Sequence, residues 1–400
     1  MSTKLGVHKS NLPLPAAAPV SAREPLPMDL LLEIAARSDV TTIVRCARAS
    51  KSLRGAILDP AFRRRLELQA AAAGGGGFDP ALLFGVSYLT FGASMVTTHH
   101  IIHTPSSVQL HPCLQALTLD DSFQPVASRD RLLLLQRFGI FPHPPNIELR
   151  VFDTTTALVT CLPMVSTFNA HAFLSVTDGH HYELVIMDKR FWFEIFSSKR
   201  GGWSAARRAS SIDGHPRRVD ASSRVVGRTV HWLCQRNAGA HCWDGILALD
   251  VHAEQATTMK LPSGCLQSRM TTSKHDKHLL LGSVRGRLSL IVAEARAISM
   301  WTLTPPWSPL LTATWSRELV IGAEEIVRTP GGGCSPLSFV LEGFGERSGA
   351  VIVRVDGTVL LRLDLRTKAV TRLHNPGGDA SVTCLFVHET DMLSLLKKSF

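Results

Sequence analysis

Four hundred residues with 45% hydrophobic content describe a globular chain too long for one small core, and a net charge of +10 admits nucleic acid as a partner. About half of that charge lies in residues 1–70, where 11 Lys and Arg face 6 Asp and Glu, while the remainder is nearly balanced at 32 against 27. No stretch reaches the roughly 18 uninterrupted apolar residues of a membrane helix, and eight scattered cysteines without a secretory signal fit the reducing cytoplasm or nucleus, with no disulfide framework.

Residues 1–22 read as a disordered leader. Two lysines precede a Pro- and Ala-rich stretch whose prolines interrupt any signal-peptide core, an organelle transit peptide being the alternative. Residues 23–70 carry short helical patterns. Pro27 suits a first helical turn, and Leu30, Leu31, Ile34 and Ala35 recur at helical spacing through about Arg37. Asp39 is placed to cap a second helix with Ile43, Val44 and Ala47 on one side and Arg45 and Arg48 toward water. Ser50 or Ser52 starts a third bearing Leu53, Ala56 and Ile57, and Asp59-Pro60 supplies cap and first turn for a fourth carrying Phe62 and Leu66. Such a core buries only a handful of side chains at about 1.5–3 kcal/mol each, which barely offsets chain entropy, so the module is expected to dock on something. Residues 71–79, with four glycines in series at 74–77, read as a linker.

From residue 80 to 400 short apolar runs bounded by Gly, Pro, Asp and Ser predict a large β domain. Three segments align: residues 148–163, 245–262 and 359–376. Each runs strand, Asp, turn, second strand, proline, with Asp153, Asp250 and Asp364 in equivalent places. Their spacing is about twice a blade of roughly 50 residues, so intervening blades are expected, and the segments 192–208 and 300–310 supply strand and turn text there. Repetition predicts a β-propeller, six blades favoured and seven allowed, against a β-sandwich pair as the alternative. Gly227-Arg228 predicts a hairpin turn between Val225-Val226 and Val230, Trp232 and Cys234. Met392, Leu395 and Leu396, with Thr390 or Asp391 as cap, predict a short C-terminal helix packed on the domain.

Chemistry-bearing clusters are sparse. His99, His100 and His103 with His111 and Cys113 form the densest ligand-like group, but no paired C-x-x-C is present, and adjacent strand residues point to opposite faces. His231, Cys234, His241 and Cys242 divide between an apolar hairpin and its loop, so neither group predicts a metal site. No G-x-S-x-G elbow, phosphate-cradling glycine loop or converging carboxylate pair appears, Asp120-Asp121 reading as a solvated turn. No enzyme activity and no cofactor are expected. The loop at 199–208, with Lys199, Arg200, Trp203, Arg207 and Arg208, mixes cations with an aromatic and is the candidate contact for an acidic peptide or nucleic acid.

Residues 26–66 resemble an F-box. The opening Leu26-Pro27, Asp29-Leu30-Leu31, Glu33-Ile34, Val44-Arg45-Cys46, Ser50-Lys51, Arg54, Ile57, and Asp59-Pro60 with Phe62 fall in family order. Two positions depart from it: Ser38-Asp39 stands where Leu-Pro is usual, and Leu53 where Trp is common. The resemblance implies an adaptor-binding surface drawn from Leu26, Pro27, Leu30, Leu31, Ile34, Val44, Cys46, Leu53 and Ile57. Its partners would be a Skp-type adaptor and, through it, a cullin. The hairpin at 224–234 and the text at 279–303 resemble the F-box-associated propellers of plant proteins, a family expanded in grasses. The expectation is a substrate-recognition subunit of an SCF-type ubiquitin ligase whose β domain holds the target. Two other classes remain open: a propeller interaction protein with a degenerate F-box, and a basic nucleic-acid-binding module.

Overall fold

A computed structural model describes residues 26–38, 40–72, 82–91, 97–103, 123–137, 147–154, 158–166, 168, 170–177, 181–211, 218–235, 244–265, 277–304, 313–326, 339–355, 359–365, 367–374 and 381–391. The expected leader, Asp39 and most of the expected linker lie outside them.

Four helices come first: α1 (Met28–Ala36), α2 (Val40–Ala49), α3 (Lys51–Leu58) and α4 (Pro60–Ala72). Pro27 precedes α1 with the extended backbone of a cap residue, and the Ser38 hydroxyl closes that helix by donating to the Ile34 carbonyl at 2.7 Å. The Ser50 hydroxyl accepts from the Leu53 amide at 3.3 Å, and the Asp59 carboxylate accepts from the Ala61 amide at 2.7 Å, so α3 and α4 both begin on side-chain caps. Ala35, Ile43, Ala47, Leu53, Ile57, Phe62 and Leu66 form the shared core. Glu33 on α1 pairs with Arg37, at 2.7 Å, and with Arg65 on α4.

The β region opens with β1 (Leu82–Phe91) and β2 (Thr97–His103), an antiparallel pair. Five sheets follow in chain order. The first holds β3 (Phe123–Arg129), β4 (Leu132–Arg137), β5 (Leu149–Asp153) and β6 (Leu158–Cys161). The second holds β7 (Ala170–Thr177), β8 (His181–Met187) and β9 (Trp192–Ser197), with the short β10 (Gly202–Trp203) and β11 (Arg207–Arg208) both paired to β9. In the third, β13 (Arg218–Val226), β14 (Thr229–Gln235), β15 (Gly245–Asp250) and β16 (Gln255–Lys260) are joined at the edge by the short β12 (Ser210–Ser211). The fourth comprises β17 (Leu279–Val284), β18 (Arg287–Ala293), β19 (Ala297–Thr304) and β20 (Thr314–Gly322), and the single-turn helix α5 (Ala323–Ile326) follows it. The fifth comprises β21 (Phe339–Phe344), β22 (Ala350–Val355), β23 (Val359–Asp364) and β24 (Val370–His374). Last, β25 (Ser381–Asp391) returns to pair antiparallel with β1, Leu82 opposite Asp391 and Phe91 opposite Ser381.

The first long strand of each sheet lies innermost. β3, β7, β13, β17 and β21 pack each against the next, and β25 fits between β21 and β3 to close the ring. This is a β-propeller. Apolar side chains fill every seam, which is why β4, β14 and β22 are buried on both faces rather than alternating. Trp232, wholly buried between the second and third sheets, donates its indole N–H to the His171 carbonyl at 3.3 Å.

One expectation is corrected. Among the described residues there are five blades of four or five strands, not six; the remaining place in the ring is taken by the three-stranded sheet β2-β1-β25. Dividing chain length by an even blade length misses this, because that sheet is assembled from both ends of the domain. The expected C-terminal helix carrying Met392, Leu395 and Leu396 lies outside the described residues; its expected cap residues Thr390 and Asp391 end β25, opposite Leu83 and Leu82.

Candidate binding surfaces

Helix α1 is one turn too apolar for its own core. Leu31 and Leu32 pack inward, while Leu30 and Ile34, four apart and therefore on one face of α1, remain 50% and 54% exposed, and Leu26, just ahead of the helix, is 56% exposed. Pro27 is exposed beside them. Isolated exposed leucines are ordinary, but these three gather at the start of α1 as an apolar ridge that the described residues do not cover. The nine residues proposed for the adaptor therefore separate. Leu26, Pro27, Leu30 and Ile34 face outward; Leu31 and Cys46 are half-buried against the helical core; Leu53 and Ile57 are inside it, at 7% and 0% exposure. Leu53 and Ile57 thus hold the helices together rather than present themselves to a partner. Val44 sits in α2, and its side chain lies outside what is described.

The loop at 199–208 is largely committed to the fold. Trp203 donates its indole N–H to the Pro163 carbonyl at 3.0 Å and packs edge-on to Phe196 with ring centroids 5.4 Å apart. Arg207 pairs with Glu254 at 2.8 Å and lies over the Phe193 ring at 4.8 Å. These two hold β10 and β11 to the blade, so the expected aromatic platform is not free to stack on a ligand. Lys199, Arg200 and Arg208 remain exposed.

Among the described residues the histidine groups do not converge. His99, His100 and His103 lie along β2, whereas His111, Cys113, His241 and Cys242 lie outside the described residues. His231 and Cys234 are buried on β14, three positions apart and hence on opposite faces. Among the described residues no three His, Cys, Asp or Glu side chains gather as metal ligands.

A second surface lies at the axis of the ring. A chamber of about 50 Å³ is walled by the inner strands, with Arg129, Arg224, Phe344 and Glu389 in its lining. It shares Arg129, Asp130 and Glu346 with a wider vestibule of about 480 Å³, which opens among the hairpin turns and adds Arg285 and Arg347. The carboxylates here are engaged. Asp130 pairs with Arg347 at 2.6 Å, Glu346 with Arg129 at 3.4 Å, and Glu342 with both Lys277 at 2.6 Å and Arg354 at 2.7 Å. Glu389 accepts the backbone amides of Arg347 and Ser348 at 2.8 and 2.9 Å, and burial pushes its carboxyl above the ordinary range.

Arg224 is bound differently. Its Nη1 donates to its neighbour Ser223's carbonyl at 2.7 Å and its Nη2 to the Phe344 carbonyl at 3.3 Å, while the buried Nε has no acceptor. Among the described residues no carboxylate lies within ion-pair distance of it. Burial pulls the guanidinium below its ordinary value; Glu346, Glu389 and Asp220 oppose that at longer range and Arg129 adds to it. Sequence reasoning missed this arginine although it begins the hairpin already singled out. Its place on an inner strand, the one signal that mattered, depends on how the blades are arranged.

A family model described as a domain of unknown function, DUF7595, matches residues 85–399. Among solved structures the chain is similar to the β-propeller domain of Cps50 (Swd1) from Myceliophteria thermophila, at 13% identity and a TM-score of 0.36, over 66% of this chain and 90% of that one. The propeller described above rests on strand pairing and seam packing, not on that likeness. No curated protein matches the chain.

Proposed function

The chain belongs to the DUF7595 family, and from that premise we propose that it is the substrate-recognition subunit of an SCF-type ubiquitin ligase, its helical module docking a Skp-type adaptor and its propeller holding the target. One observation carries this reading: the exposed apolar ridge of Leu26, just before α1, with Leu30 and Ile34 on it, in a small helical module that precedes a propeller. Burying a Leu or Ile side chain is worth about 1.5–3 kcal/mol, so a ridge of this kind has a physical reason to meet a partner's groove. The F-box order of residues 26–66 names that partner as a Skp-type adaptor, and through it a cullin. Such a receptor needs no active site. It accelerates transfer by holding a target lysine near a ubiquitin-loaded enzyme elsewhere in the complex.

The test is co-purification with a Skp-type adaptor and cullin, using the full chain, a chain beginning at residue 78, and the full chain carrying L30E and I34E. Binding by the unaltered full chain alone is the expected result, with affinity falling at least about 100-fold in the double variant as two charges enter an apolar contact. Equal recovery of all three would sink the proposal. Salt-dependent binding to arbitrary RNA without any adaptor would instead favour a nucleic-acid-binding role.

A further inference from the structure

We propose that the axial chamber and its vestibule form an oxyanion-binding site, with Arg224 at its floor and Arg285 at its rim, that takes an acidic side chain of a peptide. The site narrows the receptor reading by naming the kind of segment captured, yet it stands or falls independently of adaptor docking.

Arginines and carboxylates are equal in number along the chamber and vestibule, but Glu342 draws its partners Lys277 and Arg354 from outside that lining and Glu389 rests on backbone amides, so the arginines are not all matched. Every carboxylate lining the chamber already has its own cation or backbone donors, as described above, and the two guanidiniums left over are Arg224 and Arg285. Arg224 uses two of the five N–H donors of its fork, both on uncharged carbonyls. A half-buried cation held only by neutral acceptors, its buried Nε unpaired, leaves part of its desolvation cost unmatched, and an incoming anion supplies the missing partner. Arg285 is exposed in the two-residue turn Arg285-Gly286 between β17 and β18, at φ 52°, and among the described residues it too has no ion-paired carboxylate. An anion entering from the vestibule would pass Arg285 before reaching Arg224.

Size sets the class of guest. A water needs about 10–15 Å³ of such space, so a chamber of about 50 Å³ admits a carboxylate or a phosphate head and little more. The vestibule at about 480 Å³ has room for the residues on either side. The guanidinium fork matches both oxyanions, because each presents paired oxygens to parallel N–H groups. The chemistry is therefore shared between an acidic residue and a phosphorylated hydroxyl.

The experiment measures fluorescence anisotropy of the full chain with three labelled Gly/Ser peptides whose central residue is Glu, phosphoserine or Ser, repeated with R224M and R285A. Binding of the Glu or phosphoserine peptide at least about tenfold tighter than Ser, displaced by inorganic phosphate at constant ionic strength, is the expected result, and the tighter of the two identifies the natural oxyanion. R224M should abolish that preference and R285A weaken it severalfold. R285A alters an exposed turn, so it reports on the site even if R224M fails to fold. Equal binding of all three peptides, or a preference unchanged in R285A and in folded R224M, would overturn the proposal. Adaptor co-purification is scored separately, so loss of one property does not imply loss of the other.

Discussion

Asp153, Asp250 and Asp364 occupy the same place in three hairpins, the end of the third strand of a blade, yet their carboxylates have different partners. Asp250 accepts the His252 and Ala253 amides at 2.9 and 2.8 Å, and Asp364 accepts the Thr367 amide at 2.9 Å, both shaping exposed turns. Asp153 instead pairs at 3.0 Å with Arg131, which is 2% exposed. Removing one member of a buried pair strands the other charge. D153N is therefore expected to cost about 3–5 kcal/mol in urea unfolding, and D250A only about 1 kcal/mol; equal costs would refute the distinction. His231 makes a second residue-scale case. Burial pushes its imidazole down to about 4 from 6.5, against backbone contacts at Arg224 and Thr229 that raise it. Buried His171, bonded at 2.9 Å to the Val126 carbonyl, is lowered for the same reason. Because the unfolded chain binds these protons more readily, stability is complete above about pH 6.5 and falls as pH drops toward 4, His231 contributing about 3 kcal/mol of that loss. H231Q should flatten the acid limb of a stability-against-pH curve by that amount, and an unchanged limb would assign the loss to other groups.

At the scale of elements, the helices and the hairpins were legible for different reasons. Ser50, Asp59 and Pro60 act on backbone groups within a few residues, so caps predicted from the sequence reappear as hydrogen bonds. The turn at Gly227-Arg228 is equally local, Gly227 taking φ 63° between β13 and β14, where a side chain would be strained. The division of α1 was not legible. Leu30 and Leu31 are adjacent and chemically alike, and only the packing of α1 on α3 and α4 decides that Leu31 goes in and Leu30 stays out. That division sharpens the adaptor test. Since Leu30 and Ile34 are already in water, L30E with I34E should change thermal stability by less than about 0.5 kcal/mol while removing adaptor binding; a large stability loss would place these side chains in a core after all.

For the whole molecule, the decisive contact is the one between chain ends. β25 pairs along the length of β1 and packs against β21 and β3, so the ring is closed by a strand that arrives last. Gly343 lies at this closure. A Cβ there would meet Val387 Cγ2 at 2.9 Å and Leu385 Cδ2 at 3.1 Å, closer than packed side chains allow. G343V should wedge β21 from β25 and lower stability by about 1–3 kcal/mol, read as a lower urea midpoint with early loss of amide protection in β25. Retention of the wild-type midpoint would mean that the seam is loose. The sequence alone determined that helices precede a run of strands, the helix caps at Ser50 and Asp59, the hairpin at 227 and the repeat hairpins around Asp153, Asp250 and Asp364, because each depends on turns, caps and periodicity within some twenty residues. The tertiary structure decided that five full blades and a three-stranded sheet make the ring, that Trp203 and Arg207 support a blade, and that Arg224 stands at the axis without an ion-paired carboxylate among the described residues. Those outcomes depend on which strands become neighbours after long stretches of intervening chain, and local pattern carries no record of that choice.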